Sequence, residues 1–355
     1  MRGLLCFRSV RAPVLQTSGS RDAWSRTRKS TMTNKTCVLG ATGFVGRALV
    51  SALSEAGEPV RAASRRGDRG SETVEWVSCD LERAETLAPV LDGCDFVFYL
   101  VHSLGRADFR EADRRCAHNV AAVAAAAGCR RIIYLGGVSP RGRASEHLAS
   151  RLEVGEILRG GSVLAVELRA SMIIGNGSAS WRILRDLAAR LPFMVLPRWL
   201  DSKTCPIALS DVIRALLDAR RLPMTACAWF DIPGPEALSA REMLEIVAAL
   251  DGRRIPAIRV PLLTPALSAM WLRIVSGAEY TIARELVVGL SEDLLPQRSF
   301  WELAPHSNIL SFRAAAATAL RSEKPPSAFA RAVEAIVRRF GAHDSRLAGT
   351  VAQRP

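Results

Sequence analysis

Apolar residues along the chain fall into two patterns. Some form short β-branched runs, and others recur every three to four residues, the signatures of strand and amphipathic helix. The first run, Lys35 to Leu39, leads into Gly40, Gly43 and Gly46; Val45, Leu49, Ala52 and Leu53 then share one helical face. Gly57 and Pro59 end that helix, and Val60 to Ser64 resumes as a second strand. A third strand is expected from Val74 to Leu81, ending near Asp80, and then a short helix from Glu82 towards Leu91, its last turn loosened by Pro89. Asp95 to Val101 is almost continuously apolar, as in a central parallel strand buried on both faces, and empties into His102-Ser103-Leu104-Gly105. A long helix follows, with Phe109, Ala112, Cys116, Val120, Val123 and Ala127 inward and Gly128 closing it. The fifth strand, Arg131 to Leu135, ends at Gly136-Gly137-Val138-Ser139-Pro140, and a helix from about Ser145 to Leu158 precedes a sixth strand, Val163 to Leu168. Strands alternating with helices in this way predict an α/β fold of Rossmann type, a doubly wound parallel sheet with right-handed crossovers.

Beyond Ser178 the pattern moves between this core and a smaller, mostly helical C-terminal substrate lobe. Helices are expected over Trp181 to Leu191, Asp211 to Ala219 and Ser239 to Leu250, the last opened by a capping-box-like Ser239-Ala240-Arg241-Glu242. Phe193 to Leu200 reads as apolar loop or strand, and Ala228 to Ile232 as a further strand. Val260 to Leu290 is apolar and helix-rich, but Pro261, Pro265, Arg273, Glu279 and Arg284 interrupt it too often for a membrane span. A lobe facing substrate or a partner is the expectation, with peripheral membrane contact the lesser alternative. The expected division is an extension over 1–33, a nucleotide-binding domain over 34–235, a helical cap over 236–340 and a tail over 341–355.

The glycine spacing has separable physical purposes. Gly40 permits a tight turn, Gly43 lets backbone N–H groups approach a pyrophosphate, and Gly46 lets the helix pack closely on the strand. The helix N-terminus, with unused N–H groups and a positive dipole end, faces the phosphates. Dinucleotide binding follows, because strand, turn, helix and second strand all surround the motif. An NAD binder keeps an acidic residue at the end of the second strand for the ribose hydroxyls. Here that place holds Ser64-Arg65-Arg66, with Arg69 beyond and no carboxylate before Asp68. Guanidinium forks suit a 2′-phosphate, so NADPH is favoured over NADH; the competing reading is a solvated basic loop.

At 355 residues, 49% hydrophobic and 23% charged, the composition is that of a globular protein, but the net charge of +13 is unusual. Residues 1–34 hold seven basic residues and one acid, which leaves +7 over the body, without the aromatic interleaving of a nucleic-acid surface. The first 33 residues are rich in Arg, Ser and Thr; they read as a disordered extension ahead of Met32, or alternatively as an Arg-rich organelle-targeting segment. Leu4 to Phe7 is too short for a secretory signal. The eight cysteines form no C-x-x-C pair and lack histidines at metal-ligand spacing, which suggests a reduced, cytoplasmic setting and no metal.

The Gly-Ala-Thr-Gly setting of Gly40 to Gly46, Asp80 after the third strand and Arg169 after the sixth resemble the short-chain dehydrogenase/reductase superfamily. Tyr99 to Leu104, Tyr134 to Gly137 and Ile173 to Ser180 resemble, more closely, its atypical, NmrA-like NAD(P)H-binding branch. So do the strings Leu191-Pro192 through Pro197-Arg198-Trp199 and Pro206-Ile207-Ala208 to Asp211-Val212. The resemblance covers about residues 35–320 and speaks to fold and cofactor rather than substrate. It implies cofactor contacts from Gly40, Thr42, Gly43, Phe44, Val45, Gly46, Ser64, Arg65, Arg66, Asp80, Leu81, Leu100 and Val101. Typical members act through Tyr-x-x-x-Lys; alignment from Ser139 puts His147 at the tyrosine place and Arg151 at the lysine place, four residues apart on one helical face. His147 is then a candidate proton donor and Arg151 a candidate ribose ligand, with His102 a second donor near the nicotinamide and Ser139 a substrate-orienting hydroxyl. Alternatively, these are polar residues over a vestigial site. Two functions stand: an NADPH-dependent reductase of an apolar carbonyl, quinone or enone, and a non-catalytic NADP-binding redox sensor or assembly protein.

Overall fold

The computed structural model describes residues 35–67, 73–103, 106, 108–142, 144–190, 194–196, 201–254, 257–259 and 292–323. The expectations for residues 1–33, 197–200, 260–290 and 341–355, and for Asp68 and Arg69, lie outside them.

Seven parallel strands make the main sheet: β1 (Thr36–Leu39), β2 (Val60–Ser64), β3 (Val74–Ser78), β4 (Phe96–Tyr99), β5 (Arg131–Gly137), β6 (Leu164–Ala170) and β11 (Ala228–Asp231). Three short pairs stand apart: β7 (Ile173–Ile174) with β10 (Ile207–Ala208), β8 (Met194–Leu196) with β13 (Ala257–Arg259), and β9 (Lys203–Thr204) with β12 (Leu238–Ser239). The main order is β11-β6-β5-β4-β1-β2-β3, so the chain reverses direction across the sheet between β1 and β4. Leu39 of β1 lies opposite Ala63 of β2 on one side and Tyr99 of β4 on the other. That junction of strand ends is where open α/β sheets bind ligands.

Helices α1 (Phe44–Glu55), α2 (Ala84–Leu91), α3 (Phe109–Ala126), α4 (Glu146–Arg159) and α6 (Leu209–Arg221) cover the sheet. One apolar layer joins α1 and α6 to the sheet through Leu49, Leu53, Phe98, Val166 and Leu216; the other joins α2, α3 and α4 through Leu87, Val97, Val120, Ile132 and Leu158. β5 is buried over its full length, as a central parallel strand requires. Its first residue, Arg131, is buried too, and Nη1 donates to the carbonyls of Ala219 at 2.7 Å and Arg220 at 2.9 Å in the last turn of α6. There a cation faces the negative end of the helix dipole.

Helix α5 (Ala179–Arg190), α7 (Ala240–Leu250) and α8 (Phe312–Arg321) enclose a third apolar cluster around Trp181, Met243 and Phe312. The expected capping box at Ser239 and Glu242 is present. The chain then returns over the sheet: buried Asp231 at the end of β11 accepts from the amides of Gln297 at 2.7 Å and Arg298 at 3.1 Å.

Candidate functional site

At the end of β1 the backbone takes φ +86° at Gly40, a conformation that side chains resist. A Cβ there would also lie 2.9 Å from Val101 Cγ2 and 3.0 Å from the Leu100 carbonyl oxygen, so the turn is pressed against the end of β4. The amides of Gly40 and Ala41 both donate to Ala63 at 3.1 Å, and that of Gly43 to Gly40 at 3.0 Å. Gly43 caps α1 without a side chain. The first-turn N–H groups of Phe44, Val45 and Gly46, which a helix never uses internally, are therefore left for an anion. A Cβ on Gly46 would lie 2.9 Å from Ala41 Cα, so only glycine seats α1 this tightly. Phe44 contributes its backbone alone to this cradle, because its ring packs on the turn after β7, where added Cβ atoms at Gly175 and Gly177 would lie 3.0 and 3.1 Å from it.

At the adenosine end, the Ser64 hydroxyl is buried and has no hydrogen-bond partner among the described residues. A buried hydroxyl without a partner is costly, and a ligand would supply one. Arg65 and Arg66 next to it are exposed, and neither makes an ion pair with a described residue. Ser78 Oγ holds the Arg65 carbonyl at 3.1 Å. The Asp80 backbone is gripped by Thr86 Oγ1, which receives the Asp80 amide at 3.1 Å and lies 2.7 Å from its carbonyl; the Asp80 carboxylate accepts from the Glu82 amide at 3.2 Å. Leu81 is buried beside it, and Leu100 and Val101 are half-buried against the glycine turn. Together these residues fit a dinucleotide: amides for the pyrophosphate, a waiting hydroxyl and two exposed guanidinium groups for the ribose end.

The loop after β4 and the first turn of α4 bring His102 and His147 together, with ring centroids 6.0 Å apart at 72°. Ser145 starts α4 by accepting from the Leu148 amide at 3.2 Å. One turn beyond His147, Arg151 Nη2 donates to the Leu135 carbonyl at 2.5 Å, and the Arg151 carbonyl accepts from Tyr134 Oη at 3.0 Å. Burial, then the Arg151 charge, then His102 push the His147 pKa down to about 3. Burial and Arg151 push His102 down to about 4. His102 keeps an exposed side, where water moderates the effect of burial, but the direction is common to both rings and leaves both imidazoles neutral at pH 7. The near-neutral titration of an ordinary imidazole is thus displaced at His147 by burial first, with Arg151 on the same helix and His102 on the facing loop adding to it. Ser139 is half-buried, and its carbonyl accepts from Gln297 Nε2 at 3.4 Å.

Two neighbouring features were missed by the pattern of apolar positions. Asp113 is buried on the inner face of α3, where Phe109 and Val123 are only half-buried; its phase with Cys116, Ala117 and Val120 was the available signal. Glu167 on β6 is 1% exposed and bound between Arg159 and Arg169, and the Arg169 guanidinium lies 4.1 Å over the Trp229 ring. Neither Arg169 nor Glu167 faces the histidine pair as an open ligand; each is satisfied internally. The described cysteines are unbridged and mostly buried.

Residues 40–186 match a family model described as NAD(P)H-binding. The chain is 29% identical over 234 residues to a ceramide reductase of Caulobacter vibrioides, covering 63% of this chain and 73% of that one. It is 28% identical over 268 residues to a putative dihydroflavonol 4-reductase of Synechocystis sp., covering 66% and 77%. A solved nucleoside-diphosphate-sugar epimerase from Staphylococcus aureus has the same fold, with a TM-score of 0.65 at 16% identity over 80% of this chain and 99% of that one. No helix among the described residues is long and apolar enough to cross a membrane.

Proposed function

We propose that this chain, a member of the NAD(P)H-binding Rossmann proteins, is an NADPH-dependent oxidoreductase that reduces an apolar carbonyl, quinone or enone. The observation that carries the reading is the pair of imidazoles 6.0 Å apart, His102 on the loop after β4 and His147 in the first turn of α4, which burial holds neutral. Bound NADPH supplies the hydride. The chain's residues bind and orient it: the α1 amides take the pyrophosphate, Ser64, Arg65 and Arg66 the 2′-phosphorylated ribose, Asp80 and Leu81 the adenine, and Leu100 and Val101 flank the nucleotide. His147 presents an N–H to the substrate oxygen as charge develops there, in the manner of a neutral imidazole electrophile. His102, on the exposed side of the pair, relays the proton from water. Burial keeps both rings neutral, with the Arg151 charge adding to it; Arg151 retains guanidinium hydrogens for the nicotinamide ribose, and the Ser139 hydroxyl orients substrate.

The two relatives named as reductases support this reading, and the atypical, NmrA-like branch is the subgroup it implies. The protein is proposed to be cytoplasmic and to act on a small molecule, without nucleic acid. A second reading, a non-catalytic NADP(H) sensor or assembly protein, is favoured by the absence of tyrosine and lysine at 147 and 151. Purified protein tested for NADPH oxidation against a panel of aldehydes, ketones, quinones and enones separates the two. Turnover supports the reductase; tight NADPH binding with no turnover on any member overturns it in favour of the sensor.

A further inference from the structure

We propose that Asp113 is the positioning residue of this site, its buried carboxylate clamping the loop that carries His102 to the helix that carries His147 and Arg151. Asp113 is 3% exposed on α3. One carboxylate oxygen accepts from the Ser103 amide at 2.8 Å, and the other from the Ser150 hydroxyl at 3.0 Å. Ser103 directly follows His102. Ser150 lies directly before Arg151 and three residues after His147, so a single side chain joins both histidine-bearing segments.

Other links between α3 and α4 are weaker determinants. Glu153 pairs with Arg110 at 3.0 Å and Arg114 at 2.6 Å, but both arginines are substantially solvent-exposed, where ion pairs are screened. Hydrogen bonds to a charged, buried acceptor are the stronger and more directional kind. The neighbouring groups give the carboxylate no hydrogen bond among the described residues: Tyr134 Oη is committed to the Arg151 carbonyl, the Arg151 guanidinium is anchored on Leu135, and Tyr99, fully buried, meets Tyr134 edge-on at 5.5 Å. Without the carboxylate, the Ser103 amide and the Ser150 hydroxyl have nothing else to share, and the 6.0 Å spacing of the imidazoles loses its restraint. An enzyme whose reacting groups drift by about 1 Å loses on the order of a hundredfold in rate. The catalytic part of this inference rests on the reductase reading; the geometric part does not.

The test uses the full chain with isotopically labelled histidine, five residues in all, and reads the magnetic contact between the His102 and His147 rings. The parent is expected to show a cross-ring NOE. Asp113→Ala abolishes it, whereas Asp113→Asn retains it, because the amide carbonyl still accepts from Ser103 and the NH₂ donates to Ser150 Oγ. NADPH affinity falls by no more than about tenfold in Asp113→Ala and stays near parental in Asp113→Asn, because of the proposed cofactor groups only Arg151 sits on the clamped helix while the α1 amides and Ser64 to Arg66 are untouched. An undiminished NOE in Asp113→Ala overturns the proposal, and so does a loss of NADPH affinity as large as the loss of ring contact, which would mark a general scaffold role. If Asp113→Ala does not fold, Ser150→Ala removes one arm of the clamp without stranding a charge; a weakened NOE supports the proposal and a parental one overturns it. Turnover divides the two claims. A parent that reduces nothing yet shows the ring contact and its loss in Asp113→Ala sinks the reductase reading and leaves the clamp standing. A parent that turns over, with Asp113→Ala at the same kcat and pH profile, overturns Asp113 as a positioning residue for catalysis and leaves the reductase reading standing.

Discussion

Gly46→Ala asks whether the tight seat of α1 is what aims its amides at the cofactor. The added Cβ would overlap the Gly40 carbonyl oxygen and stand 2.9 Å from Ala41 Cα and 3.0 Å from Ala41 C, all backbone atoms with no rotamer by which to escape. To clear the Gly40 oxygen and approach the ~3.5 Å at which non-bonded heavy atoms rest, the start of α1 must retreat by about an ångström. Overpacking of this kind costs roughly 1–3 kcal/mol of stability. The retreat also draws the Phe44, Val45 and Gly46 amides away from the pyrophosphate; losing one charge-assisted hydrogen bond is worth about 1.5–3 kcal/mol. A weakening of NADPH binding by about 10- to 100-fold follows, since 1.4 kcal/mol is tenfold. Calorimetric titration measures the affinity, and thermal unfolding the stability. Gly57→Ala is the control: at φ +70° with nothing within 4 Å of the new Cβ, it strains the end of α1 without touching its beginning. It should lower the melting temperature and leave affinity alone. Should Gly46→Ala bind NADPH as the parent does, the argument from close packing to phosphate recognition is wrong.

Replacing Arg65 and Arg66 together by alanine should narrow the preference for NADPH over NADH; equal affinities for the two cofactors in the parent, measured at fixed salt, would remove the basis for it. His147→Phe should lower turnover by about a hundredfold or more at nearly unchanged NADPH affinity, as loss of a proton-handling group does. Acid sensitivity has a definite sign: the unfolded chain protonates both imidazoles below about pH 6.5, while the folded chain resists until about pH 4 at His102 and about 3 at His147. Stability is therefore full above pH 6.5 and declines as pH falls towards 4, and urea midpoints across that range should decline less in His147→Phe. Glu167→Gln strands the largely buried Arg159 and Arg169, and should cost about 3–5 kcal/mol, read from the urea midpoint.

Much of the scaffold was legible because its signals are local. β2 spans Val60–Ser64 as its β-branched start and basic end suggested, and Ser239 with Glu242 forms the cap its spacing implied. β5 runs two residues past its expected end at Leu135, because Gly136 and Gly137 keep register with Arg169 and Ala170 of β6. Gly136 is there to admit Glu167, whose Oε1 an added Cβ would approach to 2.8 Å; glycine read alone looks like a turn. The pairing of His102 with His147 spans 45 residues of chain and depends on how β4 and α4 sit against β5, which no periodicity encodes. Asp113 was hidden for the same reason: an acid on an apolar face looks like an imperfection until its two serine partners, from separate elements, are in view. The placing of the Phe44 ring was hidden too, since it packs on Gly175 and Gly177, 131 and 133 positions later.

The return of the chain over β11 also has a consequence for synthesis. Asp231 is buried, yet the amides it accepts from, Gln297 and Arg298, follow it by 66 and 67 residues, and buried Asp211 waits 99 residues for the Leu310 amide. At ~5–20 residues per second the ribosome needs roughly 3–13 s to bring Gln297 out after Asp231. Through that interval the β11 edge carries a carboxylate that burial would penalise and nothing yet relieves. Buried Arg131 at the start of β5 waits as well, 88 and 89 residues for the Ala219 and Arg220 carbonyls. The two edges of the sheet are thus completed at different times: Arg61 of β2 finds the Pro89, Val90 and Asp92 carbonyls within 31 residues, and cofactor bound at that edge would bias the half-made protein towards the native sheet before the other edge has closed.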